Sequence, residues 1–91
     1  MTLEQELVLI TAADAELDGD GRFVVYAHDP DFVNPLYPES RGGSMCLNYT
    51  FRRAKAFRFV DAHPEFVLSV VDGDTGAVLS ASVGAPGGTK R

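Results

Sequence analysis

The stretch that decides the fold is YTFRRAKAFRFVDAHPEFVLSVVDGDTGAVLSASV, residues 49–83. Its first part, up to residue 62, holds no glycine or proline and is rich in alanine, lysine and arginine, which favour helix. Pro64 biases the residue before it away from helical backbone angles. We therefore predict a helix over residues 50–62, with Asn48 or Thr50 as the N-cap and with Pro64 ending it.

The second part of the stretch has the pattern of a β-hairpin. Residues 65–71 are rich in Phe, Val and Leu, which favour strands. Residues 72–76, Asp-Gly-Asp-Thr-Gly, form a turn in which glycine supplies positive φ and aspartate bonds to the local backbone. Residues 77–83 return as the partner strand. The predicted core takes one face of each strand and the apolar side of the helix: Phe23, Val25, Val60, Phe66, Leu68, Val70 and Leu79.

The N-terminal residues 3–17 fit two interpretations. As a helix they begin with a capping box of Thr2 and Gln5, but Asp14 interrupts the apolar face. That face would hold Leu3, Leu7, Ile10 and Leu17. As a strand they include the continuous apolar run 7–11 and lead into the turn Asp-Gly-Asp-Gly and a clear strand over residues 22–28. Because that turn is a strong hairpin signal, we prefer the long first hairpin.

Residues 29–47 contain three prolines and a Gly-Gly pair, which predict a long loop. The apolar residues in it favour docking on the core over disorder. The predicted fold is α+β: a single small domain over residues 1–84 with the order β-β-loop-α-β-β, in which one helix packs on an antiparallel sheet. Residues 85–91 are glycine-rich and basic, and we expect a flexible C-terminal tail there.

Length and composition indicate one cytoplasmic domain. The chain has 91 residues and one cysteine, so no internal disulfide forms. No run approaches the roughly 18 apolar residues of a membrane span, and we expect no membrane association. Acidic residues stand near the N-terminus where a secretion signal would be basic, which favours a cytoplasmic protein.

Charge is unevenly distributed along the chain. The net charge is −5, yet residues 1–40 hold nine carboxylates against Arg22 as their one basic residue. Residues 49–60 hold four basic residues and no acid. We expect the basic helix to lie over the acidic part of the chain so that the two neutralise each other.

No motif predicts catalysis, a metal or a cofactor. Asp14, Glu16 and Asp18 have the spacing that opens an EF-hand loop, but the twelfth position, which requires a carboxylate, is Val25. Cys46 and the two histidines lack the clustered spacing of a zinc site or of a nucleophile with its base. We therefore predict a protein that is not an enzyme and that has no catalytic residues, metal ligands or cofactor.

What remains is binding, and the main hypothesis is a small acidic interaction module whose partner is a protein with a basic surface. Aspartates and loop apolar residues are the predicted partner-binding set: Asp18, Asp20, Asp29, Asp31, Phe32, Leu36 and Tyr37. Both faces of residues 65–71 are apolar, which also predicts a homodimer. The alternative is nucleic-acid binding by the basic aromatic helix, residues 49–62, and the acidic net charge weighs against it. That alternative uses Arg52, Arg53, Lys55 and Arg58.

In size and charge the chain is similar to the small acidic single-domain proteins of phages and mobile elements, including inhibitors of host defence such as anti-CRISPR proteins. The similarity covers no motif. It implies an inhibitor whose partner belongs to a host complex.

Overall fold

The computed structural model describes residues 2–81, which form one small domain of two helices and four strands. In chain order these are α1 (Leu3–Glu16), β1 (Phe23–Asn34), β2 (Tyr37–Thr50), α2 (Arg53–Ala62), β3 (Val67–Asp72) and β4 (Val78–Ala81). The strands form one antiparallel sheet in the order β2-β1-β3-β4. The predicted α+β class is therefore confirmed. The predicted tail, residues 85–91, lies outside the described residues.

The preferred interpretation of the N-terminal residues as a strand is wrong. They form α1, which opens with the capping box: Thr2 Oγ1 accepts from the Gln5 N–H at 3.1 Å, and Gln5 Oε1 accepts from the Thr2 N–H at 2.8 Å. Its buried side chains are Leu9 and Ala13, and Leu17, just after the helix, is also buried. This i, i+4, i+8 spacing is helical, and the Asp-Gly-Asp-Gly turn links α1 to β1 rather than two strands. The chain order is therefore α-β-β-α-β-β.

The predicted loop over residues 29–47 is also wrong, because most of it is paired as a hairpin. His28 pairs with Ser44, and the ladder continues to Asn34 opposite Tyr37. Pro30 lies where the register shifts between Asp29 and Val33, a bulge that tolerates a missing N–H. Pro30 and Pro38 therefore lie within strands, whereas Pro35 lies in the turn between β1 and β2.

The central strand β1 is twice as long as its neighbour β3, with 12 residues against 6. Residues 23–28 of β1 pair with β2 on one side and with β3 on the other, whereas residues 29–34 pair, among the described residues, with β2 alone. Residues 29–43 therefore form a two-stranded ribbon that extends past the rest of the sheet. We refer to residues 29–43 as the arm.

Both helices cover the same face of the sheet. Leu9 and Ala13 of α1 join Phe59 and Val60 of α2 in one buried cluster. The strand residues in that cluster alternate along β1 and β3: Val25, Ala27, Leu68 and Val70. The predicted core is confirmed, with Phe66 also buried and with Phe23 and Leu79 partly buried against the cluster.

Helix α2 ends at Ala62, before Pro64, as predicted. It begins at Arg53 rather than at residue 50, because Thr50 is still paired with Phe23 as the last residue of β2. No helix within residues 2–81 is long and apolar enough to cross a membrane.

Replacing Leu68 with alanine should destabilise the domain by about 2–5 kcal/mol, because the side chain is fully buried and its loss leaves a cavity between the sheet and the helices. Chemical denaturation measures the change. Val78→Ala is the matched control, since Val78 is a strand residue with 63% of its surface exposed. It should shift stability by less than about 0.5 kcal/mol. An equally small shift for Leu68→Ala would contradict the described core.

Candidate functional site

The predicted partner-binding residues fall into two groups at opposite ends of the β1–β2 hairpin. Asp18 and Asp20 lie in the α1–β1 connection, beside the start of β1. The others lie on the arm: Asp29, Asp31, Phe32, Leu36 and Tyr37. Because a strand rises about 3.3 Å per residue, the two ends of β1 are roughly 35 Å apart. One compact contact therefore cannot use Asp18 and Asp20 together with Leu36 and Tyr37 at the far end of the hairpin.

The tip of the arm is its most exposed apolar part. Leu36 is 79% exposed and Tyr37 is 60% exposed. Asn34 holds the turn in shape, because its Oδ1 accepts from the Leu36 N–H at 2.9 Å. The backbone behind the turn is fixed by the pairing of Asn34 with Tyr37 and of Val33 with Arg41. The two side chains are thus presented on a constrained ribbon.

Phe32 has a different role within the arm. Its ring lies against Gly43, where an added Cβ would stand 2.9 Å from the Phe32 Cδ2 atom. Phe32 also lines a cleft of about 170 Å³ together with Glu6 of α1 and Met45 of β2. The side chain is still 46% exposed. Phe32 therefore packs onto the base of the arm, and the backbone of Gly43 leaves room for it.

One acidic residue of the arm bonds to the nearby backbone, and two others are exposed. Asp29 Oδ1 accepts from the Asp31 N–H at 3.1 Å, which turns the chain at the bulge. Asp31 and Glu39 are exposed. Arg41 is exposed as well. The arm therefore carries mixed charge with an excess of carboxylates.

Asp18, by contrast, is occupied by contacts within the domain. Its carboxylate accepts from Thr50 Oγ1, from the Phe51 N–H at 3.2 Å and from Lys55 Nζ at 2.8 Å. Thr50 is fully buried, and its hydroxyl accepts in turn from the Arg52 N–H at 3.1 Å. The carboxylate thus stands at the N-terminus of α2, where a negative charge is favourable.

These contacts change the titration of Asp18. The hydrogen bond from Lys55, followed by that from Thr50, lowers the pKa of Asp18 from 3.8 to about 2. Asp72 is held in the same way. Two hydrogen bonds from Arg22, at 2.8 and 2.7 Å, lower the pKa of Asp72 to about 2. In both cases the aspartate of a turn joins distant parts of the chain.

The basic helix is partly neutralised, as the charge distribution predicts. Lys55 is paired with Asp18. The guanidinium of Arg53 lies 5.1 Å from the centroid of the Phe57 ring. Phe59 is buried in the core and cannot stack on a base. Of the residues in the alternative nucleic-acid set, Arg52, Arg53 and Arg58 remain exposed.

The other face of the sheet carries a polar cluster that the sequence did not reveal. His28 Nδ1 is 2.7 Å from Ser44 Oγ, and His28 Nε2 is 2.8 Å from Ser69 Oγ. These contacts join β2, β1 and β3. On the same face, a hydrogen bond with Cys46 raises the pKa of the Tyr49 phenol. Both imidazole nitrogens are thus engaged by hydroxyls.

The cluster was missed because Ser44 and Cys46 fall within the residues that the prolines suggested were a loop. The alternation of larger apolar residues with smaller or polar ones over residues 44–50 was the signal that could have revealed it. Within the described part of the chain, no three metal-ligating side chains come together.

Comparison with known proteins adds no family or relative: no protein-family model, no curated protein and no solved structure matches the chain.

Stability should fall as the pH drops from about 4 to about 2. The folded-state pKa of Asp18 lies below its ordinary value of 3.8, so its contribution is present above that value and is lost as the pH falls through about 2. Asp72 adds to the loss over the same range. Chemical denaturation of wild type and Asp18→Asn across this range measures the effect.

Asp18→Asn should be less stable than wild type at pH 7 and should lose less stability on acidification. Asp31→Asn is the matched control, because Asp31 is an exposed aspartate whose carboxylate has no recorded partner within residues 2–81. It should follow the wild-type curve. A wild-type pH profile in Asp18→Asn would contradict the role assigned to this carboxylate.

Proposed function

We propose that the protein is a non-enzymatic, cytoplasmic interaction module that binds a protein partner through its arm. The observation that carries the proposal is the exposure of Leu36 and Tyr37, 79% and 60%, at the tip of a ribbon that extends beyond the sheet. Large apolar side chains at a constrained turn resemble the residues that dominate protein interfaces. That the protein is an inhibitor of the phage or mobile-element type, with a partner in a host complex, stays a prediction.

The structure of the arm favours binding through a small number of residues. An irregular loop loses backbone entropy when it is fixed in a complex, which reduces affinity. Here the strand pairing of Val33 with Arg41 and the Asn34 turn fix the backbone in the free protein. The tip side chains can therefore enter a partner's cleft with little further ordering.

The charges on the arm favour a partner with basic residues around that cleft. Asp31 and Glu39 are exposed within a few residues of the tip. Charges at the rim of an interface mainly speed association, and salt screens their effect. Asp18 has no part in this attraction because Lys55 and Thr50 hold it, and Asp20 lies at the far end of the hairpin.

Nucleic-acid binding through α2 receives less support. Lys55 is paired, Phe59 is buried, and the acidic net charge of −5 repels phosphate at long range. A direct test is fluorescence anisotropy with single-stranded and duplex DNA and RNA at low salt. Tight binding that Arg52→Glu and Arg58→Glu abolish would favour this function over the one proposed.

Leu36→Ser combined with Tyr37→Ser should abolish partner capture while leaving the stability of the domain nearly unchanged. Quantitative mass spectrometry of proteins captured by immobilised wild type and by the variant measures the first effect, and chemical denaturation measures the second. The matched control is Phe51→Ser, since Phe51 is 65% exposed but lies at the opposite end of the hairpin. A partner that binds wild type and the Phe51 variant but not the tip variant supports the proposal.

Capture by the tip variant equal to that by wild type would contradict the proposal. With a partner identified, Asp31→Lys should slow association at low salt, and the difference should fade as the salt concentration rises. Asp20→Lys makes the same charge change at the other end of the hairpin and should have a much smaller effect. An equal effect of the two changes would show that the attraction belongs to the whole protein rather than to the arm.

A further inference from the structure

One flank of α1 carries an apolar stripe, Leu3, Leu7 and Ile10, at helical spacing. Leu3 and Leu7 are 71% and 55% exposed, and Ile10 is partly buried against the core. The stripe continues to Asp14, whose Oδ1 accepts from the Asn48 side-chain amide of β2 at 3.0 Å. The opposite flank faces α2, where Glu16 Oε2 is 3.6 Å from His63 Nε2. The stripe therefore lies on the outer side of α1, above β2.

Beside this stripe lies the free edge of β2. Within the described residues β2 is the terminal strand of the sheet, and its 14 residues pair with β1 alone. An edge of this length leaves a row of backbone N–H and C=O groups available for another strand. The edge and the apolar stripe are adjacent and face the same direction.

We propose that this combined surface binds a second copy of the chain. A two-fold axis perpendicular to the sheet would pair β2 with β2 of the second copy in antiparallel fashion. Because the axis keeps both copies' helices on the same side of the joined sheet, it also brings the two apolar stripes together. One isologous contact thus satisfies both unused surfaces. The inference does not depend on the function proposed for the arm.

The position of the axis follows from how α1 lies along β2. Near its start, Glu6 lines a cleft with Gly43, and near its end Asp14 contacts Asn48. Helix and strand therefore run in the same direction, and the middle of the stripe is level with Ser44. Stripes from two copies meet when the axis passes close to Ser44.

Charge complementarity supports this register. With the axis at Ser44, Arg41 of one copy lies opposite Leu47 of the other, beside Asn48 and the carboxylate of Asp14 that Asn48 holds. Arg41 is exposed, and the structure records no ion pair for it within residues 2–81. The last turn of α1 has no basic residue. Arg41 would therefore supply positive charge where the helix dipole and Asp14 favour it, twice in each dimer.

The same register leaves the tip of the arm outside the pairing. The ladder between β1 and β2 shifts register at Leu47, between Val25 and Tyr26 on the partner strand. Such a bulge bends the strand and ends regular pairing beyond it. The contact is therefore confined to the segment around residues 41–47, and the turn at Leu36 and Tyr37 diverges from the second copy.

The test is the mass in solution at roughly 50 μM, within the range where standard-size interfaces associate. Multi-angle light scattering should give twice the mass of the 91-residue chain. Leu7→Glu should give the monomer mass. Val8→Glu is the matched control, because Val8 is 57% exposed on another side of α1 and should remain a dimer. Circular dichroism verifies that both variants are folded.

A charge exchange tests the register. Arg41→Asp and Asp14→Arg should each weaken the dimer about tenfold, because two-fold symmetry removes two exposed ion pairs at once. The double variant should restore most of the affinity. A bis-maleimide whose spacer reaches about 13 Å should also join two chains through Cys46, the sole cysteine, in wild type but not in Leu7→Glu, because an axis at Ser44 places the two Cys46 residues four positions apart along the paired strands. Monomeric wild type, a dimer that Leu7→Glu leaves intact, or no recovery in the double variant would overturn the inference.

Discussion

The constraint on which the structure depends is the difference in length between β1 and its neighbour β3. The first six residues of β1 have a strand on each side and two helices above them, and this part holds the buried core. Within residues 2–81, its last six residues have one partner strand and no helix cover beyond the cleft at Glu6. The first half of β1 therefore contributes to the stability of the domain, and the second half holds the exposed side chains of the arm. A longer β3 would pair with residues 29–34 as well and join the arm to the rest of the sheet.

The uneven charge of the chain is resolved by a few specific contacts rather than by a general attraction. Asp18, in the acidic N-terminal region, accepts hydrogen bonds from Lys55 and from the backbone just before α2. Asp72 meets Arg22, the one basic residue among residues 1–40. Both aspartates belong to Asp-Gly turns, so these turns also join segments that are distant in the sequence. Arg41 and the exposed arginines of α2 remain available to other molecules.

Much of the fold follows from the sequence where local signals and burial agree. Pro64 ends α2, and the apolar run before the turn at residues 72–76 is β3 with Leu68 and Val70 in the core. The failures have a common cause, which is that turn-forming residues were given more weight than pairing. Pro30 and the Gly42-Gly43 pair suggested a loop. In the structure Pro30 lies at a bulge in β1, and Gly43 leaves room for the ring of Phe32. No local pattern specifies that Ser44 and Ser69 meet His28, since strand order alone brings them together.

Cross-strand proton contacts measured by NMR test most directly whether residues 29–43 form a paired ribbon in the free protein. We expect a nuclear Overhauser contact between the backbones of Val33 and Arg41, with strand-like chemical shifts on both sides of the turn. Arm amides should also exchange with solvent faster than those of residues 23–28, which have a strand on each side. Random-coil shifts over residues 29–43, with no contact between Val33 and Arg41, would show that the arm is an unpaired loop.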